Sequence, residues 1–343
     1  MKFRLWTLAI SFTLLAVFLS SCNSKPAAEG VKLQGAGASF PAPLYTKWFK
    51  AYTASHPDVQ VDYQSVGSGS GKKSVIDHTV DFGASDAAME PEEIARVQGG
   101  AQLLPMTAGA IVIAYNLDGV DTGLKLSRKA YSGIFLGKIK RWSDPAIAST
   151  NPGVKLPDLP INVVVRADSS GTSYVFSKHL STINPDFAKA IGTNTMPNWL
   201  VGTKSKGNEG VTASLKTTPG SIGYVEYGYA NSQKLTTAAL ENKAGKYVAA
   251  STASGQAALA SVTLPENLIA WASDPPAADA YPIVTYTWMI FYRKYPDAKK
   301  LAAVQDLLKY CLTDGQKDAE ALGYIPLPAN VSTKDLAAVQ SIT

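Results

Sequence analysis

The stretch INVVVRADSSGTSYVFSKHL, residues 161–180, changes character twice. Ile161 to Val165 is dominated by β-branched residues and reads as a strand, while about Thr172 to Leu180 reads as a helix. Between them lies Arg166-Ala167-Asp168-Ser169-Ser170-Gly171, a polar loop with glycine at the helix start. The same strand-loop-helix order recurs upstream. Val31 to Leu33 is a strand, Gly35-Ala36-Gly37-Ala38 a turn, and Pro43 to Tyr52 a helix with Leu44, Tyr45, Trp48, Phe49 and Tyr52 on one face. Val59 to Tyr63 is the next strand, followed by a flexible turn, Gly67-Ser68-Gly69-Ser70-Gly71, and a helix near Lys73 to His78. Val80 to Ala84 is a short strand ending at Ser85-Asp86, and Glu92 to Val97 is helical. Ala110 to Tyr115 lacks alternation, as a strand buried on both faces does. Further on, Ile222 to Glu226 and Ile283 to Tyr292 read as strands, and Ala298 to Leu312 and Gln316 to Leu322 as helices separated by Asp314-Gly315. Lys155 to Pro160 and Asp274 to Pro282 are loops. Elements alternating in this way predict α/β domains with mostly parallel sheets.

The chain has 343 residues, 46% hydrophobic and 17% charged, a composition that folds and a length that suggests two domains. Its two cysteines, Cys22 and Cys311, lie in no CxxC spacing, and its three histidines, His56, His78 and His179, form no HxH or HExxH. Both patterns argue against a zinc ribbon or a histidine-built metal centre. Cys311 shares an apolar stripe with Leu301, Val304 and Leu308 and reads as core. Lys2 and Arg4 precede an apolar stretch from Leu5 to Leu19, too short to span a membrane and built like a cleaved export signal. Leu19-Ser20-Ser21-Cys22 then resembles a lipoprotein lipobox, which implies a signal peptide over 1–21, a lipidated Cys22 and a polar tether over 22–30. Without Lys2 and Arg4 the formal charge of +5 falls to +3, too small an excess to argue for nucleic acid.

Three loops at strand ends are rich in Gly and Ser: Gly35 to Phe40, Gly67 to Gly71, and Asp168 to Thr172, the last preceded by Arg166. In open α/β sheets such loops present backbone N–H groups and helix N-termini to a ligand beyond the strand ends, and together these three suit one anion. GSGSGKKS fails as a nucleotide-binding loop, because Val66 stands at the first glycine position and Lys73 where a hydroxyl should hold magnesium. No GxSxG nucleophile elbow occurs. Asp81, Asp86 and Asp168 read as caps or ion-pair members rather than metal ligands, and Lys138, Lys140 and Arg141 as a solvated basic face.

GAGASFPAPLYTKW (35–48), VDFGASDA (80–87), LGKIKRW (136–142), RADSSGTSYVF (166–176) and GSIGYVEY (220–227) together resemble the periplasmic phosphate-binding proteins of phosphate-specific ABC transporters, over nearly the whole mature chain. The resemblance implies a type II periplasmic binding protein fold: two α/β domains, 31–112 with 284–343 and 113–283, joined by two crossover strands around a ligand cleft. Ala110 to Tyr115 and Ile283 to Tyr292 stand where those crossovers would begin and return. It further implies high-affinity binding of inorganic phosphate outside the membrane by a monomer, delivery to ABC permease subunits, and no enzymatic activity, cofactor, metal or nucleic-acid partner.

Carried onto this sequence, the family's contacts fall on the N–H and hydroxyl of Ser39, the N–H of Phe40, with Ala38 lining the turn, and on Ser68. Arg166 makes the charged contact. Ser170 gives a hydroxyl, Gly171 an N–H, and Thr172 both. Asp86, taken as ionised, accepts from a protonated phosphate oxygen, and Asp168 braces Arg166. Ser39 stands where threonine is common and Ser169 where glycine is. A binder of another tetrahedral oxyanion, such as sulfate or molybdate, and a secreted phosphatase remain the alternatives. The aspartate acceptor speaks against sulfate, and the lack of metal ligands against a phosphatase.

Overall fold

The computed structural model describes residues 30–343. The expected signal peptide over 1–21, Cys22 and the expected tether as far as residue 29 lie outside the described residues. A nine-stranded mixed sheet runs through the molecule. Its strands are β1 (Val31–Gly37), β2 (Val59–Ser65), β3 (Phe82–Ser85), β4 (Ala101–Tyr115), β5 (Asn162–Arg166), β6 (Thr203–Ser205), β7 (Ser221–Glu226) and β8 (Val284–Tyr292), in the order β2-β1-β3-β8-β4-β7-β5-β6, with Thr236–Thr237 added beside β4. The outer strands of each half are parallel, as the alternating pattern predicts. At the centre β8 is antiparallel to β3 and β4, and β4 is antiparallel to β7, so the sheet is mixed where the two halves meet.

β4 joins those halves. Residues 101–110 pair with β8 and residues 111–115 with β7, so the strand changes partners between Ala110 and Ile111. It is fifteen residues long and buried throughout, far longer than the Ala110 to Tyr115 segment read from sequence. Pro105 and Gly109 disguise its first part, since neither suits a central strand. The structure accommodates Pro105 with a register shift between Thr287 and Trp288, leaving the missing N–H at a bulge.

The glycine-rich segment after β2 is the other local surprise. It forms the start of α2 (Ser68–Ile76) rather than a flexible turn. Gly67 has φ +93°, and a Cβ at Gly71 would stand 2.5 Å from the Gly37 Cα and 2.7 Å from the Ala84 carbonyl. Glycine therefore lets this helix lie directly on β1 and β3. Likewise Gly35 to Gly37 continue β1, and the turn comes at Ser39 to Pro41. Asp314–Asp318 and Glu320–Leu322 are two 3-10 turns, held where the Gly315 carbonyl accepts from Trp48 Nε1 at 2.6 Å.

Aromatic packing fills both halves. In α1 (Ala42–Ser55), Tyr45 stacks on Trp48 and Phe49 meets Phe82 edge-on at 5.7 Å. In α3 (Gly171–Ile183), Phe176 stacks on Tyr224 at 4.4 Å. A segment from helix Thr252–Leu259 to the loop before β8 packs against the first half, where Trp288 Nε1 donates to the Leu268 carbonyl and Lys334 Nζ to that of Leu264. Cys311 is buried in the helix Ala298–Leu312, and burial pushes its thiol pKa upward, away from reactivity.

The C-terminal helix Ala329–Val339 turns Val331, Asp335 and Val339 inward. Neither Asp335 carboxylate oxygen has a hydrogen-bond partner among the described residues, and burial pushes its pKa up to about 8. Folding raises this pKa above the roughly 3.9 of an unfolded aspartate, so the group's contribution to stability is full below about pH 4 and is lost as pH rises through about 8. Asp335→Asn is expected to melt at least about 2 °C above wild type at pH 8 and close to it at pH 4. A difference that is the same at both pH values, measured by thermal denaturation, would contradict the unpaired carboxyl.

Candidate functional site

The three loops singled out in the sequence converge where the halves of the sheet face each other, and a fourth joins them at the start of α4 (Gly207–Thr217). The N-terminal ends of α1, α2, α3 and α4 all contribute, so helix dipoles and first-turn N–H groups that have no partner within their own helix favour negative charge at one place. Ser39, Ser68, Asp86, Arg166, Ser170 and Thr172 are all buried there.

The first loop is held by phenols. Tyr63 Oη donates to the Ala38 carbonyl, Tyr229 Oη to that of Ser39 and Tyr324 Oη to that of Phe40, each at 2.7 Å. Burial pushes the pKa of all three upward and keeps them donors. Because a trans peptide is planar, fixing the carbonyls of Ala38 and Ser39 turns the N–H groups of Ser39 and Phe40 the opposite way. In the second loop, Ser68 Oγ accepts from the Gly171 N–H at 3.0 Å and from the Asp86 N–H at 3.2 Å. The Gly171 N–H, expected to be a ligand donor, is thus held by Ser68 in this closed arrangement. A Cβ at Gly171 would come within 2.7 Å of Asp86 Oδ2, so this position requires glycine.

Arg166 ends β5, and its guanidinium grips Asp168 with Nε on Oδ1 at 2.9 Å and Nη2 on Oδ2 at 2.5 Å. Nη1 reaches Thr172 Oγ1 at 3.3 Å. Asp168 also accepts from the Gly207 N–H at 3.0 Å. Burial works against the Asp168 carboxylate, but Arg166 and Gly207 outweigh it and hold its pKa below the usual range. The pair leaves Arg166 pre-oriented and its charge largely matched before any ligand arrives. Ser170 caps α3 by accepting from the Ser173 N–H at 3.0 Å, which leaves its hydroxyl proton to donate.

Asp86 departs from the expectation of an ordinary ionised carboxylate. Burial pushes its pKa up to about 7, against the hydroxyls of Thr287 and Thr172 and the charge of Arg166. Thr287 Oγ1, on the central strand β8, donates to Oδ1 at 2.9 Å, and Thr172 Oγ1 lies 3.4 Å from Oδ2. Near neutrality this carboxyl can both accept and donate. Asp81, by contrast, pairs with Lys300 at 2.6 Å on the surface, and Lys138 and Arg141 pair with Asp186 and Asp158 at 2.5 Å. None of these belongs to the cleft.

Across the cleft the halves touch through polar groups. The Gly69 N–H donates to the Ser169 carbonyl at 2.9 Å, and Ser65 Oγ to Glu209 Oε1 at 2.9 Å. Asn208, Thr287, Tyr63, Tyr229 and Tyr324 were not found from sequence. Only Asn208 carried a usable signal, since Gly207-Asn208 follows the short strand β6 and opens a helix, the same strand-loop-helix order again.

A cleft between two α/β halves, lined by helix starts and bridged by central strands, defines a solute-binding protein of the periplasmic class, and residues 23–314 match the PBP superfamily domain. The chain is 38% identical over 320 residues to the phosphate-binding protein PstS of Xylella fastidiosa, covering 91% of this chain and 86% of that one. It is 36% identical over 346 residues to PstS of Methanocaldococcus jannaschii, covering 94% and 88%. The chain belongs to the PstS family of phosphate-binding proteins. Among solved structures, the phosphate-bound periplasmic protein PfluDING superposes with a TM-score of 0.73 at 21% identity, covering 90% of this chain and 93% of that one. A human phosphate-binding apolipoprotein does so at 0.71 and 23% identity, with the same coverage. These likenesses establish the fold, which is the one the motifs imply.

Proposed function

We propose that this chain binds inorganic phosphate outside the cytoplasmic membrane and delivers it to an ABC permease for import. The observation that carries the reading is the balance of the cleft: one buried cation already braced by Asp168, surrounded by hydroxyls and N–H groups from four helix starts. Such a site holds a desolvated tetrahedral anion with many fixed dipoles and little net charge, which permits tight binding and release. The ligand groups are the N–H and hydroxyl of Ser39, the N–H of Phe40 beside Ala38, Ser68, Arg166, the hydroxyls of Ser170 and Thr172, and the N–H groups of Gly171 and Thr172. Gly171 exchanges Ser68 for phosphate on binding, and Asp86 accepts a hydrogen bond from the protonated phosphate oxygen. The names of the relatives and of the phosphate-bound neighbours support the same ligand. One chain supplies every group, so the protein works as a monomer. It carries its ligand and performs no chemistry on it.

The lobes are 31–112 with 284–343 and 113–283, with residues 252–283 of the second packing on the first, and they hinge at the central strands where β4 changes partners. Calorimetric titration tests the reading: phosphate should bind one per chain, with sulfate binding at least about a thousandfold more weakly at pH 8.5. Equal affinities would instead favour a general tetrahedral-oxyanion binder, and no binding would sink the proposal.

Export and lipidation at Cys22 complete the reading. It is supported by Leu19-Ser20-Ser21-Cys22 and by a superfamily match that starts at residue 23. No helix of the described residues is long and apolar enough to cross a membrane. Cys22→Ala is expected to abolish incorporation of labelled palmitate and to release the protein from the membrane fraction or leave it unprocessed. Equal labelling of mutant and wild type would contradict the anchor.

A further inference from the structure

Asn208, fully buried in the first turn of α4, commits its polar groups to the cleft. Its backbone N–H and its Nδ2 both donate to Ser39 Oγ, at 3.1 and 2.8 Å. Nδ2 also lies 3.5 Å from Thr172 Oγ1, and Oδ1 accepts from the Glu226 N–H at 2.9 Å. The orientation of the amide is fixed by chemistry: the Glu226 backbone N–H can only donate, so the oxygen must face it and the NH2 must face Ser39.

A serine hydroxyl has two lone pairs and one proton. Two N–H donors from Asn208 occupy both lone pairs of Ser39 Oγ, and the proton is left to point away from Asn208. We propose that Asn208 is a positioning residue that makes the Ser39 hydroxyl an obligate hydrogen-bond donor to the bound anion. The inference rests on the phosphate reading of this cleft. Ser39 lies in the first half of the molecule and Asn208 in the second, so the contact exists only when the cleft is closed and acts chiefly on the dissociation rate. The same two-residue segment serves both ends of the site, because Gly207 holds Asp168, which holds Arg166.

A double-mutant cycle on the full chain tests this, with phosphate as the probe and stopped-flow kinetics beside calorimetry. Asn208→Ala is expected to weaken phosphate binding about tenfold, mostly by faster release. In a Ser39→Ala background the same change should cost less than about twofold, because the hydroxyl it orients is gone. Asn208→Asp keeps the shape and the acceptor for Glu226, yet should bind at least about a hundredfold more weakly. Its second oxygen would take the Ser39 proton and set a negative charge beside the anion. Effects that add in full across the two backgrounds, or an Asn208→Asp variant that binds as well as Asn208→Ala, overturn the proposal. If Asn208→Ala does not fold, Asn208→Asp compared in the two Ser39 backgrounds carries the same cycle. Absence of phosphate binding by the wild type would instead refute the underlying reading of the ligand.

Discussion

Arg166→Ala is expected to weaken phosphate binding by at least about thirtyfold. The Arg166 side chain is 1% exposed and makes the charged contact in the proposed site. Removing one partner of a buried, hydrogen-bonded charge pair costs roughly 2–5 kcal/mol, and each ~1.4 kcal/mol is about tenfold in affinity. Here the loss is compounded. Asp168 would keep its carboxylate but lose both guanidinium bonds, leaving a negative group beside the anion where a matched pair stood. Arg166→Lys restores the charge without the planar fork that holds Asp168 through two nitrogens while pointing a third at Thr172, so it should recover only part of the loss. An unchanged dissociation constant in an Arg166→Ala protein that melts like wild type would remove Arg166 from the site.

Selectivity against sulfate should depend steeply on pH, with a sign set by Asp86. Its pKa in the folded protein is pushed up to about 7, chiefly by burial. At about pH 8.5 the carboxylate can only accept, which phosphate satisfies with the proton it retains and sulfate cannot. Sites built around a ligand hydroxyl reject its absence by on the order of 10⁴ to 10⁵. As pH falls through about 7 the carboxyl takes up a proton and becomes a donor that sulfate can use. The preference for phosphate should therefore shrink at least about tenfold between pH 8.5 and 5.5 in the wild type. Asp86→Asn, whose amide can turn either its oxygen or its nitrogen inward, should start from a low preference and stay flat. Competition titrations showing a pH-independent ratio in the wild type, or an unaltered ratio in the mutant, would place discrimination in cavity shape or backbone dipoles.

What the sequence made legible were features with short-range signatures. The helix Ala298–Leu312 was read at its bounds, and the apolar face of α1 at the residues that are buried. The three Gly/Ser loops were found because strand-loop-helix order is local. Long-range properties were hidden. Ser39 and Asn208 are 169 positions apart, and nothing in GNEG announces a partner for a serine in the first loop. Tyr63, Tyr229 and Tyr324 look like core aromatics, because a phenol that clamps a distant carbonyl has no spacing signature. Asp86 was placed at a strand end, yet its pKa is set by burial in the folded cleft, opposed by a hydrogen bond from Thr287 of β8, 201 positions away. The first nine residues of β4 were missed for a local reason, since Pro105 and Gly109 argue against a central strand unless a bulge absorbs them.

The most direct test of the account is a crystal structure of the protein grown with phosphate and without sulfate. One tetrahedral ion is expected in the cleft, within hydrogen-bond distance of Ser39 Oγ, the Phe40 N–H, Ser68 Oγ, the Arg166 guanidinium and Thr172 Oγ1, with one oxygen on Asp86 and the Gly171 N–H turned from Ser68 to the ion. Phosphate bound elsewhere, or a cleft ion that touches neither Arg166 nor Asp86, would contradict it.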